Sequence, residues 1–282
     1  MKPTEISMKM NSAALLAAVV LLGLGFFGSS VRGAINDLPD FLVYAKDGSG
    51  VYGHKDSPKL SWCEWRLHDP DRPAPRRIDP GKAGPPAPIP ADAIVLFDGK
   101  NLDQWQPTDH TIQDGFLVAP VKSKSMLTSK QEFGSVQIHV EWMAPAGFVA
   151  PWDERGNNGV LLMGRYEIQI FDSYNEKIYP DGQAAAIYGE TPPLVNVTRP
   201  PGEWQTYDIF FTVPVFEDGK VVRPGRVTML HNGVLVHLET EIHDQRRPRD
   251  IPETGRVAGK GPLVLGAHNC PVRFREIWVR PL

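Results

Sequence analysis

Cysteine is nearly absent: the 282-residue chain has two, Cys63 and Cys270. Two thiols alone cannot form a structural zinc site of the four-ligand kind. Whether they join in an oxidising compartment is left open by their separation in sequence. Positive charge is not in excess either. The formal charge is −3, and about −5 once residues 1–33 are set aside. Such a surface repels phosphate backbones, so nucleic acid is excluded as a partner. No amphipathic helical pattern of three turns appears, and no repeat period.

Proline (27) and glycine (26) are plentiful, which favours many turns and short strands. The N-terminus has Lys2 and Lys9 ahead of an apolar run, Ala13 to Phe27, broken only by Gly23 and Gly25. Small residues follow, and Val31-Arg32-Gly33 suits a cleavage site before Ala34. This is the pattern of a cleaved signal peptide, with a secreted or periplasmic product. The run is shorter than the ~20 residues a membrane span needs, so no permanent span is expected. No cysteine follows it, which argues against a lipid anchor.

Residues 70–90 hold eight prolines and cannot form a central strand or a helix. With the Trp62- and Trp65-bearing segment before them, they predict an N-terminal extension over 34–90. From Ala91 the pattern is all-β. Val136, Ile138, Val140 and Trp142 alternate with polar residues, and so do Tyr166, Ile168, Ile170 and Tyr207, Ile209, Phe211. Asn232-Gly233 between apolar runs predicts a two-residue hairpin turn. Near Arg275 the apolar phase shifts, from Val272 and Phe274 to Ile277 and Val279, which predicts a β-bulge. The expected fold is an all-β sandwich of two antiparallel sheets over 91–282.

Chemistry concentrates in residues 156–175. Alternation sets Arg165, Glu167 and Gln169 on one face of a strand whose other face, Tyr166, Ile168 and Ile170, suits the core. Carboxylate, amide and guanidinium groups in one row match the hydroxyls of a small saccharide. A solvated outer face is the competing account of the same row. Asn158 precedes the strand, and Asp172 follows it. Glu167 and Asp172 also have a spacing near that of retaining two-carboxylate glycosidases. Gln169 stands between them, however, and five residues of separation put them on opposite faces of an unbulged strand. Tyr188 lies in a long loop, 181–193, and offers a hydroxyl or a stacking ring. His268 sits at a strand end, and His68-Asp69 is a lesser base or metal candidate. His231 and His237 flank the hairpin and are expected to be exposed. Trp204 is expected in the core.

These residues also carry a resemblance. The Leu-Phe-Asp-Gly-Lys-Asn-Leu run at 96–102 with Trp105, the Gly-Asn-Asn-Gly-Val run at 156–160, and residues 164–175 all match. So do Asp-Gly-Gln at 181–183, Ile-Tyr-Gly at 187–189, Pro-Pro-Gly-Glu-Trp at 200–204, His-Asn-Gly-Val at 231–234 and residues 271–282. Together they resemble the 3-keto-disaccharide hydrolase family, formerly a domain of unknown function. The resemblance implies a concanavalin A-like jelly-roll sandwich and cleavage of glycosides that carry a ketone at C3. The ketone acidifies the C2 hydrogen, so a base forms an enolate, the C1 substituent leaves, and water adds back. On this reading Glu167 or His268 is the base or a ligand of a divalent cation, and Asp172 orients a neighbour or donates a proton. Asn158, Arg165, Gln169 and Tyr188 bind the sugar. A lectin-like module without catalysis and a two-carboxylate hydrolase are the alternatives.

Overall fold

A computed structural model describes residues 41–46, 51–86, 88–123, 125–148, 154–175, 178–218, 220–243 and 259–282. The leader expected at 1–33 lies outside the described residues. Contacts divide the chain into Met1–Leu42 and Val43–Leu282, and both sheets of the sandwich belong to the second unit. Among the described residues no helix is long and apolar enough to cross a membrane.

Strand alternation produces two facing sheets. In the larger, the order is Val234–Ile242, Gly225–His231, Gln205–Thr212, Val136–Met143, Arg273–Pro281, Phe116–Val118 and Thr111–Gln113, with Ile94–Phe97 also paired to Arg273–Pro281. The smaller runs Tyr166–Ile170, Asn158–Leu162, Gly261–Leu265, Leu127–Phe133. The pairings within both are antiparallel. This is the all-β, jelly-roll sandwich expected from the sequence. The helical content among the described residues is one 3-10 turn, Pro180–Gly182.

The inner faces meet in a single apolar core. Ile138, Val140, Trp142, Ile209, Phe211 and Phe274 of the larger sheet pack with Val160, Leu162, Ile168, Ile170 and Leu265 of the smaller. Each fully buried side chain of this size contributes about 1.5–3 kcal/mol. A polar bond crosses the core: the Tyr207 hydroxyl donates to the Gln169 carbonyl at 2.7 Å.

Two local expectations are met. His231 pairs with Val234 across Asn232 and Gly233, at φ 54° and 79°. Both angles lie in the left-handed region that Asn and Gly tolerate. The register between Arg273–Pro281 and Val136–Met143 slips between Arg275 and Trp278, where Glu276 has φ 48°.

Three expectations are corrected. His231 and His237 are buried, not exposed. Burial pushes the His231 imidazole down to about 3, with Arg199 adding to the shift, and the ring sits against Trp142 and Tyr207. Burial likewise holds His237 at about 4, and its Nε2 donates to the Ala185 carbonyl at 2.8 Å. Trp204 is only half-buried, with the Arg275 guanidinium 4.1 Å from its ring centre. An indole face paired with a cation can stay partly wet. The pairing of Cys63 with Cys270, which the sequence leaves open, is not formed: both are free thiols.

Candidate active site

The outer face of the smaller sheet carries the polar row. Ile168 and Ile170 point into the core, so Glu167 and Gln169 point away from it. Glu167 pairs in register with Leu161, and Gln169 with Gly159. The Glu167 side chain leans over Gly159. A Cβ built there would lie 2.9 Å from both Cγ and Cδ of Glu167, and closer still to Oε1. Only glycine leaves that space, so Gly159 sets where the carboxylate rests. The amide of Gly266 donates to the Gly159 carbonyl at 2.9 Å, which adds a second glycine to the same row. His268 follows two residues beyond that contact and is half-buried.

The other expected residues are distributed as follows. Arg165 falls in the tight turn before the strand, donating its amide to the Leu162 carbonyl at 3.0 Å, with its guanidinium 5.9 Å from the Tyr166 ring centre. The row within the strand is therefore Glu167 and Gln169. Gln169 is buried, and its Oε1 has no hydrogen-bond partner among the described residues. Asn158 is corrected as a sugar-facing residue. It shares the inward parity of Val160 and Leu162, is fully buried, and its Oδ1 accepts the Gly159 amide at 2.8 Å. Asp172 lies past the strand end, where its Oδ1 accepts from the Tyr174 amide at 3.3 Å in a local turn.

A segment that sequence reasoning read as loop extends the smaller sheet. Ile187 bridges Ile168 in antiparallel sense. The Tyr188 amide donates to the Glu167 carbonyl at 2.9 Å, and the Gln169 amide donates to Ala186. Tyr188 therefore stands opposite Glu167 on the same outer face. Its hydroxyl is 3.3 Å from that of Tyr179. His237 fastens the segment from the core side through Ala185.

Against Tyr188 stands a group that the N-terminal extension supplies. The rings of His68 and Tyr188 are 5.2 Å apart; those of His68 and Tyr179, 4.0 Å. The Asp181 carboxylate holds His68 twice: Oδ1 lies 2.9 Å from Nδ1, and Oδ2 accepts the His68 amide at 2.9 Å. Arg72 stands 3.9 Å from Oδ2. Burial alone raises the Asp181 carboxyl, but the His68 ring and amide and the Arg72 charge outweigh it and hold it below the usual carboxylate range. His68 has φ 52°. A left-handed angle at a non-glycine residue marks a conformation imposed by its surroundings. Of the His68-Asp69 candidate, Asp69 is turned to local main chain, accepting the amides of Arg66 and Asp71.

Chemically, the site brings together a half-buried carboxylate, the phenols of Tyr188 and the buried Tyr179, and the buried imidazole of His68, oriented by a buried aspartate. Such a set can accept a proton, donate one, and hydrogen-bond a polyol. A metal centre fits less well. Among the described residues no three His, Cys, Asp or Glu side chains converge to hold an ion.

Comparison with known proteins shows the family and the fold. Residues 92–280 match the 3-keto-alpha-glucoside-1,2-lyase-like domain. The chain belongs to that family. A candidate glycosyl hydrolase of Parabacteroides distasonis shares 34% identity, with 72% of this chain and 94% of that one covered and a TM-score of 0.64. A second candidate glycosyl hydrolase from the same organism, at 19% identity, 68% and 94% coverage and a TM-score of 0.51, shares the fold. No curated protein matches. Family membership supports a carbohydrate-active protein.

Proposed function

We propose that the protein is an exported enzyme that cleaves 3-keto-glycosides by elimination across C1–C2 followed by rehydration. The observation that carries this reading is the Glu167 carboxylate over Gly159, with Tyr188 opposite it on the same outer face. Glu167 takes the C2 proton, and the Gln169 amide and the Tyr188 hydroxyl supply hydrogen bonds for the ring oxygens and the enolate. The family supports glycoside chemistry of this kind. Export rests on residues 1–33, and the mass of the mature protein recovered outside the cytoplasm checks it.

The test is incubation of the pure protein with a 3-keto-disaccharide, following release of the aglycone. In deuterated water the C2 position should take up label. Glu167→Gln should lose both signals by about 10²-fold or more. Saccharide binding without turnover would instead make the protein lectin-like, and full turnover by Glu167→Gln would remove that residue from the mechanism.

A further inference from the structure

Elimination needs a second proton-transfer group. After Glu167 removes the C2 proton, the C1–O bond must break, and the departing oxygen needs a proton. From the geometry, and resting on the function proposed above, we infer that His68 is this group: an imidazole from the N-terminal extension, oriented by Asp181, that protonates the leaving oxygen and then activates water.

Four observations point to it. Asp181 is fully buried and uses both oxygens on the one residue, the ring nitrogen and the main-chain amide of His68. An aspartate fixed on Nδ1 selects the orientation of the imidazole. With Nδ1 engaged, Nε2 is the nitrogen left for a substrate. The ring is walled by His54 at 4.7 Å, Tyr179 and Tyr188. Tyr188 in turn is joined by its main chain to Glu167, so one residue links the base to the buried imidazole. Finally, the backbone is shaped around this placement. His68 takes its left-handed angle, its carbonyl accepts the His54 amide at 2.8 Å, and a Cβ at Gly53 would strike that carbonyl and Pro70.

The steps balance. Glu167 takes the C2 proton, and the electron pair passes into the enolate across C2 and C3. The pair then forms the C1–C2 double bond as the ketone is restored and the C1–O bond breaks. The leaving oxygen takes the proton from Nε2 of His68. Water next adds to C1, giving a proton to the now neutral His68, while C2 regains the proton held by Glu167. Nothing is oxidised or reduced, and the sum is hydrolysis.

The experiment compares two 3-keto-glucosides, one of 4-nitrophenol and one of methanol, in deuterated water. A good leaving group needs no acid, and a poor one does. His68→Gln should cut methanol release by about 10²-fold or more and 4-nitrophenol release by less than about 10-fold. Label should still enter C2 in His68→Gln, and not in Glu167→Gln. Asp181→Asn, of unchanged size, should show the same leaving-group pattern in weaker form. A merely structural role would lower both substrates equally, and that result, or loss of C2 exchange in His68→Gln, overturns the assignment. If the unaltered protein neither labels C2 nor releases either aglycone, the proposed function itself fails.

Discussion

The Tyr207 hydroxyl reaches across the sandwich and donates to the main-chain carbonyl of Gln169 at 2.7 Å. That carbonyl also accepts the Ala185 amide at 2.8 Å. One acceptor thus ties the larger sheet to the strand that bears Glu167 and to the segment that bears Tyr188. Burial pushes the Tyr207 phenol well above its ordinary pKa, so it stays a donor at working pH. Tyr207→Phe keeps the ring and removes the bond, while Ala185 still satisfies the carbonyl. The expected loss is about 1 kcal/mol of stability, read from urea unfolding, with the same fold. A loss several times larger would mean that the bond organises the whole strand.

The strands were legible because burial on one face writes a period of two into the residue types, as in Val136–Met143. The hairpin was legible because few side chains tolerate the angles at Asn232 and Gly233. The bulge showed as a phase shift around Arg275. Glu167 and Gln169 could be assigned a shared face for the same reason. What pattern does not reveal is which outward residues another segment covers. His68 and Asp181 are 113 positions apart, and no local periodicity couples them. His237 looked exposed because it follows a turn, yet it is fixed beneath the Ala185 carbonyl. Asn158 misled because a polar type stands at an inward position, where its Oδ1 accepts the next amide.

The outer face of the larger sheet holds a second polar group with a consequence for pH. His139 lies 2.7 Å from Asp208 and 3.6 Å from Glu141, stacks on Trp278, and shares Glu141 with Arg275 at 2.6 Å. Burial alone would lower the imidazole, but the two carboxylates outweigh it and raise the pKa to about 9. The folded value exceeds the unfolded 6.5, so this stabilisation is fully present below pH 6.5. It fades as pH rises towards 9, by something on the order of 3 kcal/mol. Unfolding free energies measured between about pH 6 and 9 should fall accordingly. Asp208→Asn should flatten that slope; an unchanged slope would exclude His139 as its source.

The two thiols should differ sharply. Cys270 is fully buried, its sulfur accepts the Gly156 amide, and burial pushes its pKa to about 11. Thiolate is the reactive form, so Cys270 is inert in the native state. Cys63 is partly exposed. Ellman's reagent should therefore titrate one thiol in the native protein and two after denaturation. Finding none in either state would show that the pair is oxidised.

Gly159 offers the sharpest separation of stability from activity. Its φ is not in the left-handed region, so alanine is compatible with the backbone. The obstacle is the Glu167 side chain, whose Cγ and Cδ lie 2.9 Å from where the new methyl would sit. A flexible carboxylate arm can move aside at little energetic expense, and alanine also restricts the unfolded chain, so stability should change by less than about 1 kcal/mol. The carboxylate, however, would leave the place from which it reaches C2. A displacement of about 1 Å is enough for a 10²-fold loss. Gly159→Ala should therefore melt within a few degrees of the parent while its rate of C2 deuterium uptake falls by about 10²-fold. Unchanged uptake would mean that the carboxylate works from some other position, and that glycine at 159 serves only the packing of the strands.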